Sequence, residues 1–135
     1  MIAAASFRFE LDLRSGVPVY RQLIDQVQAG IAAGTLKVGD QLPTVRQAAV
    51  DLEVNPNTVV RAYREMEIRG VLSTQQGTGT FIAQKLIKRS DVERERQLQQ
   101  LVSEFAARAG GGGFTLNEVI EALQERAADT VRKRR

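Results

Sequence analysis

Residues 42–81 constrain the fold most, because two short helical patterns there are followed by a glycine-rich tip between two β-prone runs. Thr44 is expected to cap a helix, its hydroxyl accepting from a free amide one turn on. After it, apolar residues recur at helical spacing and include Ala48 and Ala49, whose small side chains let a second helix cross closely. Asn55-Pro56 then marks a new helix start, since asparagine caps free amides and proline fits a first turn. The spacing predicts a helix-turn-helix.

A small hairpin is expected directly after these helices. Gly70 suits a left-handed helix end, and the runs 71–74 and 80–83 favour strands on either side of residues 75–79. Glycines in that tip permit positive φ and a close approach of the backbone to a partner. A phosphate-binding loop is the alternative, but no helix follows directly and no Lys-Ser/Thr pair ends the loop.

The residues before this stretch are expected to support it. Phe7, Phe9, Leu11 and Leu13 alternate with polar residues and would share one face of an edge strand or arm. A first helix is predicted to begin near Pro18 and to end at Gly34. Its core stripe at helical spacing comprises Tyr20, Leu23, Ile24, Val27 and Ile31.

Two more helices are expected after the hairpin. One runs from about Asp91 to Ala109, residues 110–113 break it, and a capping box at Thr115–Glu118 starts the next. Their apolar stripes comprise Leu98, Leu101, Val102 and Phe105 on one helix and Leu116, Val119, Ile120 and Leu123 on the other. A lone helical hairpin buries little area, so we expect these stripes to dimerise with the same hairpin of a second chain. Folding of the hairpin back onto its own domain is the alternative.

Composition excludes several classes of function. The chain has neither cysteine nor histidine, which removes disulfides, thiol chemistry, zinc sites with those ligands and histidine-based triads. No set of residues assembles a nucleophile, base and oxyanion site, so we expect no enzyme and no cofactor. No apolar run is long enough for a bilayer and the N-terminus lacks a signal-peptide pattern, which makes the cytoplasm the expected location.

Charge alone does not indicate a nucleic-acid partner. The net charge is +3, but the eight basic residues within residues 1–84 are matched by eight acidic ones, and the excess lies in residues 85–135. A prediction of DNA binding therefore has to rest on local geometry rather than on total charge.

The exposed first turns of the helix-turn-helix carry residue types that read DNA. The candidates are Arg46 on the first of its two helices, Asn55, Asn57, Thr58 and Arg61 on the second, and Gln76, Gly77, Thr78 and Gly79 at the tip. Asparagine pairs with adenine, arginine with guanine or phosphate, and glycine amides approach phosphates closely. Several candidates also have a purely structural alternative. Asn55 would act only as a cap, Thr58 would bond only a backbone carbonyl, Arg61 would pair with Glu65, and the glycine-rich tip would be an ordinary hairpin turn.

These residues resemble the GntR family of bacterial transcription regulators. The shared pieces are LPTVRQAAVDL, VNPNTVVRAYREME, RG and the wing GTGTF, with GVPVYRQL upstream, over residues of about 7–83. The short C-terminal region resembles the YtrA subgroup, whose members end in two dimerising helices. The resemblance implies a homodimeric regulator, usually a repressor, on a palindromic operator, with contacts from Arg46, the third helix, Gln76 and Gly77. Well-known members place arginines where this chain has Pro56 and Val60, so guanine reading at those positions is lost.

The expected fold is mainly α with a small β-wing. A winged helix-turn-helix over residues 1–84 is followed by a two-helix dimerisation hairpin over residues 85–135. A winged-helix module for protein interaction, without DNA specificity, is the rival function. The sequence does not decide whether a small-molecule effector binds near the last two helices, because no cluster of polar residues there identifies one. Residues 132–135 are expected to form a frayed basic tail.

Overall fold

The computed structural model describes residues 7–83 and 90–133, with the backbone alone for residues 130–133. They fall in two compact units, one within residues 1–85 and one within residues 86–135. The first unit comprises α1 (Val19–Ala33), β1 (Gln41–Leu42), α2 (Val45–Leu52), α3 (Pro56–Ile68), β2 (Leu72–Gln75) and β3 (Gly79–Ile82), and the second comprises α4 (Asp91–Gly111) and α5 (Leu116–Lys133). Three predicted features lie outside the described residues: the domain boundary after Gln84, the first six residues of the chain, and the last two residues of the basic tail.

The core of the first unit lies where α3 packs against both α1 and α2. Apolar residues from these helices, the arm and the strands fill it, and the buried set is Phe9, Leu23, Ile24, Val27, Leu36, Leu42, Ala48, Ala49, Val59, Ala62, Tyr63, Met66, Leu72 and Ile82. Ala48 and Ala49 are buried as predicted, which permits the close crossing of α2 and α3. The fold class predicted for this unit is confirmed.

The first helix begins and ends within a residue of its predicted limits, but its core stripe ends differently. Gly34 closes it in the left-handed conformation at φ +82°. The prediction that Ile31 belongs to the core is wrong, because Ile31 is 39% exposed and Gly30 is buried in its place. Leu36 folds back onto this spot, where a Cβ on Gly30 would lie 2.9 Å from the Leu36 Cδ1 atom.

The segment before α1 is an arm rather than an edge strand, which is the second of the two forms predicted for it. Phe9 is buried and Phe7 packs edge-on against it, but Leu13 is 82% exposed rather than on the same covered face. Side-chain amides of α1 replace a strand partner. Gln26 bonds both backbone groups of Glu10, and Gln22 bonds both backbone groups of Asp12, with 2.9 Å from each backbone nitrogen to the glutamine oxygen.

Local capping fixes the helix-turn-helix. The Thr44 hydroxyl accepts from the Gln47 amide at 3.0 Å, and the Asn55 side-chain oxygen accepts from the Asn57 amide at 2.8 Å, as predicted. Between the helices Glu53 is left-handed at φ +56°, a conformation that residues with a Cβ adopt at some cost. The Tyr63 hydroxyl donates to the Pro43 carbonyl at 2.6 Å and ties α3 to the entry of α2.

The hairpin belongs to a three-stranded antiparallel sheet in the order β1-β3-β2. In the hairpin itself Leu72 faces Ile82 and Gln75 faces Gly79. The third strand was not predicted, since β1 is two residues long and pairs Gln41 with Phe81 and Leu42 with Thr80. It attaches the wing to the residues that lead into α2.

The second unit is a helical hairpin in which α4 packs against α5. The capping box is confirmed, because the Thr115 hydroxyl accepts from the Glu118 amide while the Glu118 carboxylate accepts from the Thr115 amide. The predicted end of α4 at Ala109 is wrong, since Gly110 and Gly111 continue the helix and the break comes at Gly112.

The predicted dimerisation residues are uncovered in the single chain. Seven of them, Leu98, Leu101, Val102, Phe105, Leu116, Ile120 and Leu123, are between 49% and 64% exposed, and Val119 is half-buried. Contiguous apolar exposure of this kind is typical of an interaction surface.

Candidate nucleic-acid interface

The first two turns of α3 present a bare polar surface. Asn57 and Arg61 are exposed and Thr58 is half-buried, while Val59, Ala62 and Tyr63 point into the core and fix the rotation of the helix. Because Asn57 and Arg61 are four residues apart, they lie on one face of α3, at the end that enters a major groove in helix-turn-helix proteins.

The Asn55 side chain has a structural role at this helix end. Its oxygen is used by the cap on the Asn57 amide, so the capping alternative is correct for that atom. The side chain is exposed, and its amide nitrogen is a chemically separate donor. Asn55 therefore combines a cap with an outward donor group at the tip of α3.

Arg61 contacts an aromatic ring, and not the carboxylate considered as its alternative partner. Its guanidinium carbon lies over the Tyr20 ring of α1, 3.7 Å from the centroid. Glu65, the alternative partner weighed for Arg61, instead makes an ion pair of 3.0 Å with Arg69 one turn further on. Arg61 therefore points towards α1 and the N-terminal end of α3.

Two shallow surface grooves flank this part of α3. One is lined from α1 and the start of α3 by Val19, Tyr20, Asn55, Asn57, Thr58 and Arg61. The other follows the outer face of α3 and is lined by Asn57, Val60, Arg61, Arg64, Glu65 and Ile68. The structure thus brings all four predicted α3 residues around one groove, whose lining does not include Arg46 or the wing tip.

Arg46 occupies the first turn of α2, next to the capped start of that helix. The side chain is exposed, and Val45 beside it packs on the core, which orients the turn. An exposed arginine at a helix start that carries free amides is well suited to a phosphate oxygen.

The wing tip is exposed except at its last glycine. Gln76, Gly77 and Thr78 are exposed, and Gly77 has open space around it at φ +78°. Gly79 is half-buried at φ +137°, and a Cβ there would clash with the Gln41 side-chain nitrogen, which donates to the Thr78 carbonyl at 3.1 Å. The absence of a side chain on Gly79 thus leaves room for the Gln41 side chain of β1 to reach the wing tip.

Other kinds of site are not found in the described part of the chain. Over residues 7–83 and 90–133 no three carboxylates cluster closely enough to hold a metal ion. None of the helices described there combines the length and the apolar character needed to cross a bilayer.

Sequence reasoning missed three residues of this surface. Tyr20 was assigned to the core stripe, although a tyrosine at the edge of a stripe often has one polar, outward edge. Arg64 could have been found by continuing the helical spacing from Asn57 and Arg61, since it lines the same groove and is exposed. Gln41 gave no signal, because a strand of two residues has no pattern of its own.

Comparisons with known proteins agree with this geometry. The family model for "Bacterial regulatory proteins, gntR family" matches residues 19–82, from the start of α1 to the end of β3. A repressor of Bacillus subtilis strain 168, the HTH-type transcriptional repressor YtrA, is 36% identical over 124 residues, which are 89% of this chain and 92% of that protein.

Solved structures extend the likeness to the fold. A transcriptional antiterminator from Listeria monocytogenes EGD-e has a TM-score of 0.67 at 28% identity, covering 93% of each chain. YtrA from Sulfolobus acidocaldarius, a GntR-family transcription factor, has a TM-score of 0.55 at 30% identity, covering 75% of this chain and 99% of that chain.

Proposed function

Because the chain belongs to the GntR family of bacterial regulatory proteins and is a DNA-binding transcriptional regulator rather than an enzyme, we propose that it represses transcription as a homodimer on a palindromic operator. Each protomer would read one half-site with α3, and the protein would act in the cytoplasm, where the chromosome of a bacterium lies. The B. subtilis relative is itself named a repressor, which supports the proposed direction of regulation.

The observation that carries the proposal is the bare polar face at the start of α3. A major groove admits a helix by its N-terminal end, and Asn57 and Arg61 are the exposed side chains there. Asparagine suits the N6/N7 edge of adenine and arginine the O6/N7 edge of guanine, and each good bidentate pair discriminates by about 1–3 kcal/mol. Thr58 beside them suits a thymine methyl group or a phosphate.

The remaining candidates would fix the register on the duplex. Arg46 is proposed to bind a phosphate oxygen at the first turn of α2, and Gln76, Gly77 and Thr78 to lie along the sugar-phosphate backbone beside the groove. The absence of a side chain on Gly77 and the open space around it allow its amide to approach a phosphate. Gly79 would contribute indirectly, by keeping the tip attached to Gln41.

The two-fold symmetry of the operator requires a symmetric pair of chains. The eight-residue apolar surface of α4 and α5, from Leu98 to Leu123, is proposed to pair with its own copy, since a two-fold interface uses the same patch on both protomers. Pairing would remove this surface from water, and apolar burial stabilises association by about 25 cal/mol per Å² before the costs of association.

Binding to DNA upstream of the chain's own gene tests the proposal. Fluorescence anisotropy with a labelled fragment is expected to give nanomolar affinity that weakens steeply with salt. The affinity for a scrambled fragment of the same length is measured for comparison and is expected to be lower. Arg46→Ala should lower the affinity at least tenfold, because it removes a charge-assisted contact, while leaving thermal unfolding unchanged. Arg8→Ala is the matched control, since it removes the same charge from an exposed residue of the N-terminal arm.

Two results would contradict the proposal. Equal affinity for the scrambled fragment at moderate salt would favour the rival winged-helix module for protein interaction. Unchanged binding by Arg46→Ala, with Arg8→Ala also without effect, would show that Arg46 does not contact the duplex.

A further inference from the structure

The stack of Arg61 on Tyr20 lies where α1 and α3 meet beside the candidate reading surface. The guanidinium carbon is 3.7 Å from the ring centroid, well inside the range of an attractive cation–π contact. Tyr20 is half-buried in the first turn of α1, and the buried Leu23 and Ile24 next in that helix anchor it to the core under α3. The ring therefore belongs to the rigid part of the unit.

Stacking leaves the hydrogen-bonding capacity of Arg61 intact. A guanidinium contacts a ring through its flat face, whereas its five N–H donors lie in its plane. The in-plane edge can still form the two parallel bonds that arginine makes with guanine O6 and N7. The side chain is exposed and lines the groove with Asn57 and Thr58, so its donors lie among the other candidate readers.

No carboxylate on α3 competes for this position. Glu65, one turn along, is engaged by Arg69 at 3.0 Å and is directed away from the start of the helix. A flexible arginine loses rotamer freedom when it binds, which weakens the affinity. A ring that already restricts the side chain in the free protein reduces this loss.

We propose that Tyr20 is a positioning residue for DNA reading: its ring holds the Arg61 guanidinium in place to bind one guanine of each operator half-site. The proposal rests on the proposed function. It assigns guanine recognition to Arg61 in a chain that has Pro56 and Val60, not arginine, at two other positions of this helix surface. Loss of the stack should weaken that one base contact and leave the phosphate contacts unchanged.

A double-mutant cycle in the full-length protein tests the coupling. A preferred duplex is first selected with the unmodified protein from a random-sequence DNA pool, and its affinity is then measured for Tyr20→Leu, Arg61→Ala and the double variant. Tyr20→Leu is expected to weaken binding about three- to tenfold in the presence of Arg61, and less than about twofold in the Arg61→Ala background. Tyr20→Phe keeps the ring and should recover most of the affinity that Tyr20→Leu loses.

Base preference separates positioning from a merely structural role. Selection repeated with Tyr20→Leu should show a weakened guanine preference at one position per half-site, the same position where Arg61→Ala removes it. A structural role would instead lower affinity equally in both backgrounds and at every base. Equal losses in both backgrounds, or coupling without a change in base preference, would overturn the inference.

The controls keep this outcome distinct from failure of the proposed function. If the unmodified protein selects no preferred duplex, the proposed function itself fails and the inference fails with it. If it selects one and the cycle is additive, only the role of Tyr20 is lost. Should Tyr20→Leu lose its cooperative thermal unfolding, Tyr20→Met takes its place in the cycle, and the same criteria apply.

Discussion

Tyr63 shows at the scale of one residue how α3 is held in place. Its ring is buried among core residues and its hydroxyl reaches the Pro43 carbonyl at 2.6 Å, just before the cap of α2. Burial raises the pKa of the Tyr63 hydroxyl above its ordinary value of about 10, because the charged phenolate would lose its hydration. The neutral, donating form is therefore the one that the fold stabilises.

Removal of this hydroxyl should be measurable as a loss of stability. Tyr63→Phe is expected to lower the free energy of unfolding by about 1 kcal/mol at neutral pH, since one buried hydrogen bond is lost and the ring is kept. The folded-state pKa lies above the unfolded one, so the stabilisation is complete below pH 10 and is lost as the pH rises through the folded pKa.

Denaturation by urea between pH 7 and 11 checks both parts of this expectation. The difference in unfolding free energy between the unmodified protein and Tyr63→Phe should be constant up to about pH 9 and should shrink above pH 10. A difference that stays constant to pH 11 would show that Tyr63 ionises as easily folded as unfolded.

Single residues were predictable where their partners are close in sequence. Thr44, Asn55 and Thr115 were identified as caps because each bonds an amide two or three residues on, a relation that the sequence displays directly. The contact of Arg61 with Tyr20 and the burial of Gly30 in place of Ile31 were missed, since the partners Tyr20 and Leu36 reach these positions only after the chain has folded. The structure confirms the capping half of the Asn55 assignment, and the base contacts stay predictions.

At the scale of elements, the N-terminal arm depends on two glutamines of α1. Gln22 and Gln26 lie four residues apart on one face of the helix and bond the backbone of Asp12 and Glu10, alternate residues of the arm. The arm therefore has the hydrogen bonds of a strand without a neighbouring strand. Alternation of apolar residues predicted the extended chain but not the nature of its partner, because side-chain amides satisfy the same backbone groups.

Replacement of both glutamines should release the arm and spare the helices. In Gln22→Ala/Gln26→Ala the amides of Glu10 and Asp12 are expected to exchange hydrogen at least tenfold faster, since their acceptors are gone, while the α3 amides keep their protection. Hydrogen exchange followed by NMR measures both sets. Gln28→Ala, on the opposite face of α1, is the matched control and should leave exchange in the arm unchanged. Slow exchange of the Glu10 and Asp12 amides in the double variant would mean that packing of Phe9 alone holds the arm.

Other elements illustrate the limits of pattern reading. Helix starts were located closely because caps and proline are local signals, whereas α4 runs two residues past its predicted end, through Gly110 and Gly111. The wing strands followed from β-prone runs, but β1 depends only on its pairing with β3.

At the scale of the whole molecule, the exposed stripes of α4 and α5 call for a partner. A single charged substitution in the stripe, Leu101→Glu, is expected to convert the proposed dimer to a monomer of 14.9 kDa, because a carboxylate would be buried without a counter-ion at the proposed two-fold interface. Sedimentation velocity at micromolar concentration measures the mass, and operator affinity should fall at least tenfold with it.

Ser103→Glu provides the control for charge and helix position. It places the same carboxylate on α4, but off the stripe, and should leave both mass and affinity unchanged. A Leu101→Glu protein that still sediments as a dimer would remove the pairing role from these helices. An unmodified protein that sediments as a monomer would refute the homodimer itself.

The third strand of the sheet makes the wing and the start of α2 into one body. Because β1 pairs with β3 and only Pro43 and Thr44 separate it from α2, the loop tip at Gly77 and the Arg46 side chain are joined by a short, hydrogen-bonded path. Neither can shift far without moving the other. In the proposed complex Arg46 and Gly77 each contact the sugar-phosphate backbone, so the spacing between these two contacts would be fixed by the protein, and a duplex would have to curve to match it.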